Sequence, residues 1–406
     1  MRSRLLSLAC GLTLVLPFAC QARTIHVAKS GNNTDGATWG RAFKTVQAAV
    51  DSATHEDHIW VKQGTYVESV VVRSHCKLYG GFGGNEGFDE FDQRDWANRI
   101  TTIQCADPEP FEGDEDYTLS MIRSGTIDGF TIRGGTLGGL TMVTNNPDFK
   151  ACVMNCAIID NINSSSSAAA GVFVTGNAEI RNCLITRNED YFPDAGGAAL
   201  TAYCDLLILE NCTISDNVAH SPYDVDGVRA LVDRRCEVRN CIIRDESDLD
   251  YLSVPVVEYS YVYPFYPGTG NITSGPRFIP GTYRLSSNSP CVDSATVGAS
   301  LDLAHNPRPV DIPGVGRDGE NAYDMGAFEL QLDQIPTPTR TRTLTKTPNK
   351  SPTPSVTSTP TVSETPTETP TSIPTPTATP GRSADLNDDG RVDAKDLLLF
   401  QQDWGK

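Results

Sequence analysis

Apolar and polar positions alternate in a repeating frame through the middle of this chain. The dipeptide Asn-Cys recurs at Asn155-Cys156, Asn182-Cys183, Asn211-Cys212 and Asn240-Cys241, with the cysteines 27, 29 and 29 residues apart. Two residues after each cysteine stands an isoleucine: Ile158, Ile185, Ile214 and Ile243. A spacing of two is strand periodicity and puts each Cys and Ile on one face. A degenerate copy, Gly129-Phe130-Thr131-Ile132, precedes the series. A fixed period in the twenties implies a solenoid, in which each unit buries its apolar side only by stacking on its neighbours. Strand, turn and return of this length predict one coil of a parallel β-helix, with the Cys and Ile columns inward and in register. A further asparagine closes three units, at Asn161, Asn188 and Asn217. Its residue type suits a turn, where it tolerates a left-handed backbone.

The pattern changes at both ends. Arg2 and Arg4, the apolar run Leu5 to Phe18 and Cys20-Gln21-Ala22 read as a secretory signal over residues 1–22. Pro17 and Phe18 argue against Cys20 as a lipidated cysteine. Ile25-His26-Val27 predicts a strand, and Phe43, Val46, Ala49 and Val50 fall at helical spacing. Such a helix caps the open first coil of a solenoid. Strand-like runs follow at Ile59-Trp60-Val61 and Val67 to Val72, divided by an expected turn at Gly64-Thr65-Tyr66. From Pro336 to Pro380 the chain is almost all Thr, Pro and Ser, a semi-rigid spacer. The expected order is a signal (1–22), a cap with the first coils (23–117), β-helix repeats (118–274), a closing module (275–332), a linker (333–381) and a tail (382–406).

Composition narrows the function. The formal net charge of −18 argues against a nucleic-acid partner, which needs basic patches. With a signal and no other stretch able to span a bilayer, the expected location is extracellular or cell-surface. Export permits disulfides, yet cysteines on stacked strands lie about 4.8 Å apart with parallel side chains, a poor bonding geometry. The ladder thiols are therefore read as reduced core, leaving Cys204 with Cys236 and Cys76 with Cys105 as possible pairs.

The strings VAKSGNNTDGATWGRAFKTVQAAV, IWVKQGTYVESVVV and LYGGFGG resemble the N-terminal part of secreted right-handed β-helix proteins of the pectin-lyase-like superfamily. VEYSYVYPFYPGTGNITSGPRF, YRLSSNSPCVD, DLAHNPRP and DMGAFEL resemble the closing part of the choice-of-anchor proteins in that group. The resemblance implies an all-β right-handed β-helix and no particular reaction.

Three places hold candidate chemistry. Four residues after each ladder cysteine stand Asp160, Arg187, Asp216 and Asp245, expected to stack along one edge. Neighbouring carboxylates such as Asp216 and Asp245 repel, so one would hold a proton and act as a general acid, with Arg187 beside them; a solvated row of polar turn residues is the bland alternative. The Gly-His-Gly of polygalacturonases is missing, and Lys150 is the one lysine between Thr118 and Ser274. Aromatic residues, among them Tyr191, Phe192, Tyr203, Tyr223, Tyr259, Tyr261, Tyr263, Phe265 and Tyr266, are dense enough to form a sugar-stacking platform. An acidic insertion between Cys105 and Thr118 reads as a calcium loop or a groove wall, with a solvated loop as the bland alternative.

The sharpest spacing is in the tail. Asp385, Asn387, Asp389, Asp393 and Asp396 occupy positions 1, 3, 5, 9 and 12 of an EF-hand-type loop, with Gly390 at the sharp turn and Arg391 offering its carbonyl. These oxygen ligands suit Ca2+. The segment resembles one repeat of a type I dockerin, which implies a cohesin-like or cell-surface protein partner; that family has two repeats and this chain one. Together these readings describe an exported polysaccharide-binding β-helix displayed through a calcium-binding tail. A β-helix lyase or glycosidase is the alternative, and a structural stalk or adhesin the third.

Overall fold

Most coils contribute a short strand to each of three faces, and each strand pairs in parallel with its counterpart one coil away. In this computed structural model the described residues are 22–106, 117–144, 150–164, 168–193, 196–249 and 255–335. Nearly all of the expected signal, the acidic insertion at 107–116, the expected spacer and the tail expected to bind calcium lie outside them.

The first face runs from Thr24–Val27 through His58–Lys62, Lys77–Phe82, Gly125–Asp128, Lys150–Met154 and Asn177–Arg181. It continues in the second halves of the long strands Leu200–Glu210 and Val228–Arg239 and ends at Val256–Glu258. The second face holds eight strands, among them Ala157–Ile159, Leu184–Thr186, Thr213–Ser215 and Ile242–Glu246. The third face runs from Val70–Val72 through Leu119–Met121, Leu140–Met142 and Val172–Val174 into the first halves of the same long strands. A small sheet of Ile162–Asn163, Glu189–Asp190 and Val218–Ala219 fills the corner between the second and third faces.

The repeated dipeptide has a backbone cause. Asn155, Asn182, Asn211 and Asn240 sit at φ of 52° to 54°, turning the chain from the first face to the second. Asparagine tolerates this left-handed conformation better than most residues. In the earlier coil Gly129 does the same work at φ 85°. Each cysteine then points inward and is fully buried, as are Ile158, Ile185, Ile214 and Ile243. The isoleucines pair in register from Ile132 through Ile158, Ile185 and Ile214 to Ile243. All ten described cysteines are free thiols, so neither Cys204 with Cys236 nor Cys76 with Cys105 is bonded.

Three local expectations need correction. Gly64-Thr65-Tyr66 is not a turn: it opens the strand Gly64–Val67, because Tyr66 is drawn inward and is 2% exposed. The run Val67 to Val72 bends at a corner into Gly64–Val67 and Val70–Val72. The closing asparagines are not the turn residues either. The left-handed positions at the second corner are Asp160, Arg187 and Asp216, one residue earlier, at φ 54°, 53° and 62°. Asn161, Asn188 and Asn217 face inward and are buried.

Both flanks pack on the coils. The helix Val46–Ser52 buries Val46, Ala49 and Val50 over the first coil. Its exposed first amides are satisfied by Glu68, which accepts from the N–H groups of Val46 (2.8 Å) and Gln47 (2.9 Å). Residues 275–335 form a second apolar cluster around Leu285, Cys291, Val292, Met325 and Leu330, seated on the outer side of Ile242. This segment then runs back along the first corner, where Asn182 and Trp96 donate to the carbonyls of Leu301 (3.2 Å) and Leu303 (3.1 Å). Among the described residues no helix is long and apolar enough to cross a membrane.

Candidate functional site

The second corner carries two stacked rows, one inside and one outside. Inside, the amide of Asn161 donates to Asn188 (2.9 Å), Asn188 to Asn217 (2.8 Å) and Asn217 to Asp245 (2.8 Å). Each amide also donates to a strand carbonyl: Asn161 to Ile132, Asn188 to Ile158 and Asn217 to Ile185. The ladder satisfies buried polar groups that would otherwise cost about 1–3 kcal/mol each.

Asp245 therefore leaves the outer row where the sequence spacing placed it. The strand Ile242–Glu246 runs on through the corner with a register shift after Ile243. That brings the Asp245 carboxylate onto the backbone N–H groups of Asp216 (2.8 Å) and Asn217 (3.0 Å). Burial raises its pKa to about 6, with the nearby Asp216 charge adding to the shift and the Asn217 bonds opposing it.

Outside, the row is a chain of ion pairs. Arg187 binds Asp160 through Nε (2.7 Å) and Nη2 (3.1 Å), and Arg244 Nη1 binds Asp216 (3.2 Å). The Asp160 bond raises the Arg187 pKa further. Tyr283, from the closing segment, comes down on this row and accepts from Thr186 Oγ1 (2.5 Å). Arg187 and Asp216 thus lie close together, each with a partner, while Asp245 turns to the ladder.

The outer side of the first face carries a second charged lattice that the cysteine frame does not reveal. Arg181, Glu210, Arg239 and Glu258 stack in register with alternating sign. Arg181 pairs with Glu210, and Arg239 reaches Glu237 (3.3 Å) and Glu258 (3.4 Å). The signal was present as the residue before each Asn-Cys: Met154, Arg181, Glu210 and Arg239.

The aromatic residues do not form one platform. Tyr203 meets Phe173 edge-on on the third face, Tyr261 joins the closing cluster, and the Tyr266 hydroxyl accepts from the Leu249 N–H (3.0 Å). Tyr191 and His220 behave differently. They follow the corner strands Glu189–Asp190 and Val218–Ala219 on adjacent coils, and their rings stack face to face at 4.0 Å and 10°. The Tyr191 hydroxyl donates to Glu189 (2.6 Å), whose same oxygen lies 3.3 Å from His220 Nε2. Tyr191 is 49% exposed, and Tyr223, three residues beyond His220, is 74% exposed. Beneath the stack Asp190 is buried, bonded by the Asn163 amide (3.1 and 3.2 Å) and the Phe192 N–H (3.0 Å). Burial raises its pKa to about 7, and the charge of Asp224 adds to the shift. The result is a shallow aromatic shelf, edged by a carboxylate and set on a rigid base.

No group of three or more His, Cys, Asp or Glu among the described residues is placed to hold a metal ion. The Asp385 to Asp396 loop, with Asn387, Asp389, Arg391 and Asp393, is outside those residues.

Comparison with known proteins bears on the coils. Residues 119–254 match the family described as the right handed beta helix region. No curated protein matches the chain. Among solved structures, the pectin methylesterase PemA from Erwinia chrysanthemi is similar at 14% identity and a TM-score of 0.36, covering 60% of this chain and 71% of that one. A pectin methylesterase from Aspergillus niger is similar at 14% identity and a TM-score of 0.34, covering 62% and 85%. At these values the likeness says nothing of activity. The described coils are a right-handed parallel β-helix, joined to a closing segment packed along its side.

Proposed function

We propose that this protein binds polysaccharide outside the cell, without turning it over, through the shelf formed by Tyr191, His220 and Glu189. The observation that carries this reading is the exposed Tyr191–His220 stack with a carboxylate at its edge. Sugar rings present C–H faces that lie on aromatic rings, and hydroxyls that donate to carboxylates. Tyr223 extends the aromatic surface beyond the stack. A binding role is favoured over a hydrolase or lyase because the candidate acids are already engaged. Asp160 and Asp216 are paired with arginines, and Asp245 ends the amide ladder.

In this reading the tail, with its calcium-loop spacing, serves for attachment, the calcium ion ordering the loop for a protein partner on the cell surface. A glycan array of the full chain, with parallel assays for reducing ends and unsaturated products, tests the proposal. Retention of a polymer without product, weakened in Tyr223→Ala, is expected. Product release would move the protein to the enzyme class.

A further inference from the structure

A second cleft lies at the opposite end of the coils, far in sequence from the shelf. It encloses about 500 Å³ between the end strand Thr24–Val27, the loop carrying Asp35 and Trp39, and the turn Glu86–Phe88. Its walls are tied together: Trp39 Nε1 donates to the Glu86 carbonyl at 3.0 Å, and the His26 ring meets the Trp39 ring edge-on at 4.5 Å. The charged groups around it already have partners. The Glu86 carboxylate accepts from the N–H groups of Gly83, Gly84 and Asn85 and from Arg99, while Asp35 pairs with Arg41 and Arg23 with Asp57. What the cleft offers a ligand is therefore aromatic surface and acceptors rather than net charge. His26 is buried, which lowers its pKa, and Nδ1–H donates to the Gly36 carbonyl at 2.8 Å. The neutral ring keeps Nε2 as an acceptor. Phe88, 79% exposed, stands in the cleft lining and adds apolar surface to it.

We propose that this cleft is a separate saccharide subsite, taking one neutral pyranose of a glycan against Phe88 and Trp39. The volume has room for one sugar ring, and the lining sets two carboxylates, Asp35 and Glu86, against one cation, Arg23, a balance that suits hydroxyl donors and disfavours a uronate. The inference rests on the glycan-binding role proposed above and deepens it.

The test titrates cellobiose, xylobiose and digalacturonate into the full chain, followed by saturation-transfer NMR. Neutral disaccharides are expected to bind, digalacturonate at least tenfold more weakly. Phe88→Ala should weaken neutral binding about fivefold, and Ala37→Trp, at the mouth, should abolish it. Both positions are exposed, so unchanged melting would show that the fold is intact. Equal binding by wild type and both variants overturns the subsite, as does absence of neutral disaccharide binding or equal binding of digalacturonate. Retention of polymers through Tyr191 in a protein that binds no disaccharide would remove the cleft and leave the shelf. Disaccharide binding that needs Phe88, in a protein that retains no polymer, would remove the shelf and leave the cleft.

Discussion

The corner between the second and third faces holds two neighbouring stretches that differ in one respect. Asn161, Asn188 and Asn217 repeat from coil to coil, whereas Tyr191 and His220, a few residues on, do not. The repeating residues bond to one another and to strand carbonyls and have nothing left for a ligand. The non-repeating pair stacks at the surface, with exposed ring area. In a solenoid a repeated polar residue satisfies the same buried need at every coil, so repetition marks structure. Binding chemistry belongs where the repeat is broken. Trp39 and Phe88, outside the repeat altogether, follow the same rule.

The largest effect should come from breaking the repeat. Asn188→Leu removes the acceptor of Asn161 and the donor to Asn217, orphaning buried groups on both sides; a loss of roughly 2–4 kcal/mol is expected in denaturant unfolding. Cys183→Asp, a buried charge in a column of thiols, should prevent folding. Normal stability in either variant would mean the inner rows are not what holds the coils in register.

The next effect is a pH dependence. Burial raises Asp190 and Asp293 to about 7 and Asp245 to about 6. In the unfolded chain these groups titrate near ~4. Between pH ~4 and 7 the native state therefore binds more protons, and stability falls as pH rises. Asp57 works the other way. Against its burial, bonds from Arg23 and Thr54 hold it at about 2, so its contribution is lost only in strong acid. Melting at pH 5 should exceed melting at pH 8 by several degrees, and Asp190→Asn should flatten the slope. A profile that rises from pH 5 to 8 would contradict the burial of these acids.

The outer row should matter least. Arg187 and Asp160 form a pair open to solvent, so Arg187→Ala should cost no more than about 1 kcal/mol. Asp216→Asn should leave glycan retention unchanged. Asp385→Ala in the full chain should abolish calcium uptake measured by titration calorimetry while the coils melt as before. A coil transition that shifts with calcium would tie the tail to the solenoid.

Much of the fold was legible because a coil says the same thing repeatedly. The Cys and Ile columns follow from a spacing of two and a period near 29. Asparagine is ambiguous by nature, suiting both a left-handed turn and a buried amide ladder, so the sequence misassigned Asn161 while the adjacent Asp160 made the turn. Asp245 keeps the spacing of its row but loses its place, because a register shift after Ile243 cannot be read from spacing. Tyr283 reaches the corner, and the Glu86 carbonyl the Trp39 indole, through tertiary packing of distant segments. The shelf was visible only as a density of aromatics. Which of them meet is a property of the coil register.

Affinity electrophoresis of the full chain through gels containing neutral and acidic polysaccharides, run beside Tyr191→Ala, tests the binding role most directly. Retardation of the wild type by at least one polymer is expected, with about tenfold weaker retention in Tyr191→Ala, equivalent to about 1.4 kcal/mol, and unchanged melting. A wild type that no polymer retards, or a Tyr191→Ala variant retained as strongly as the wild type, would contradict it.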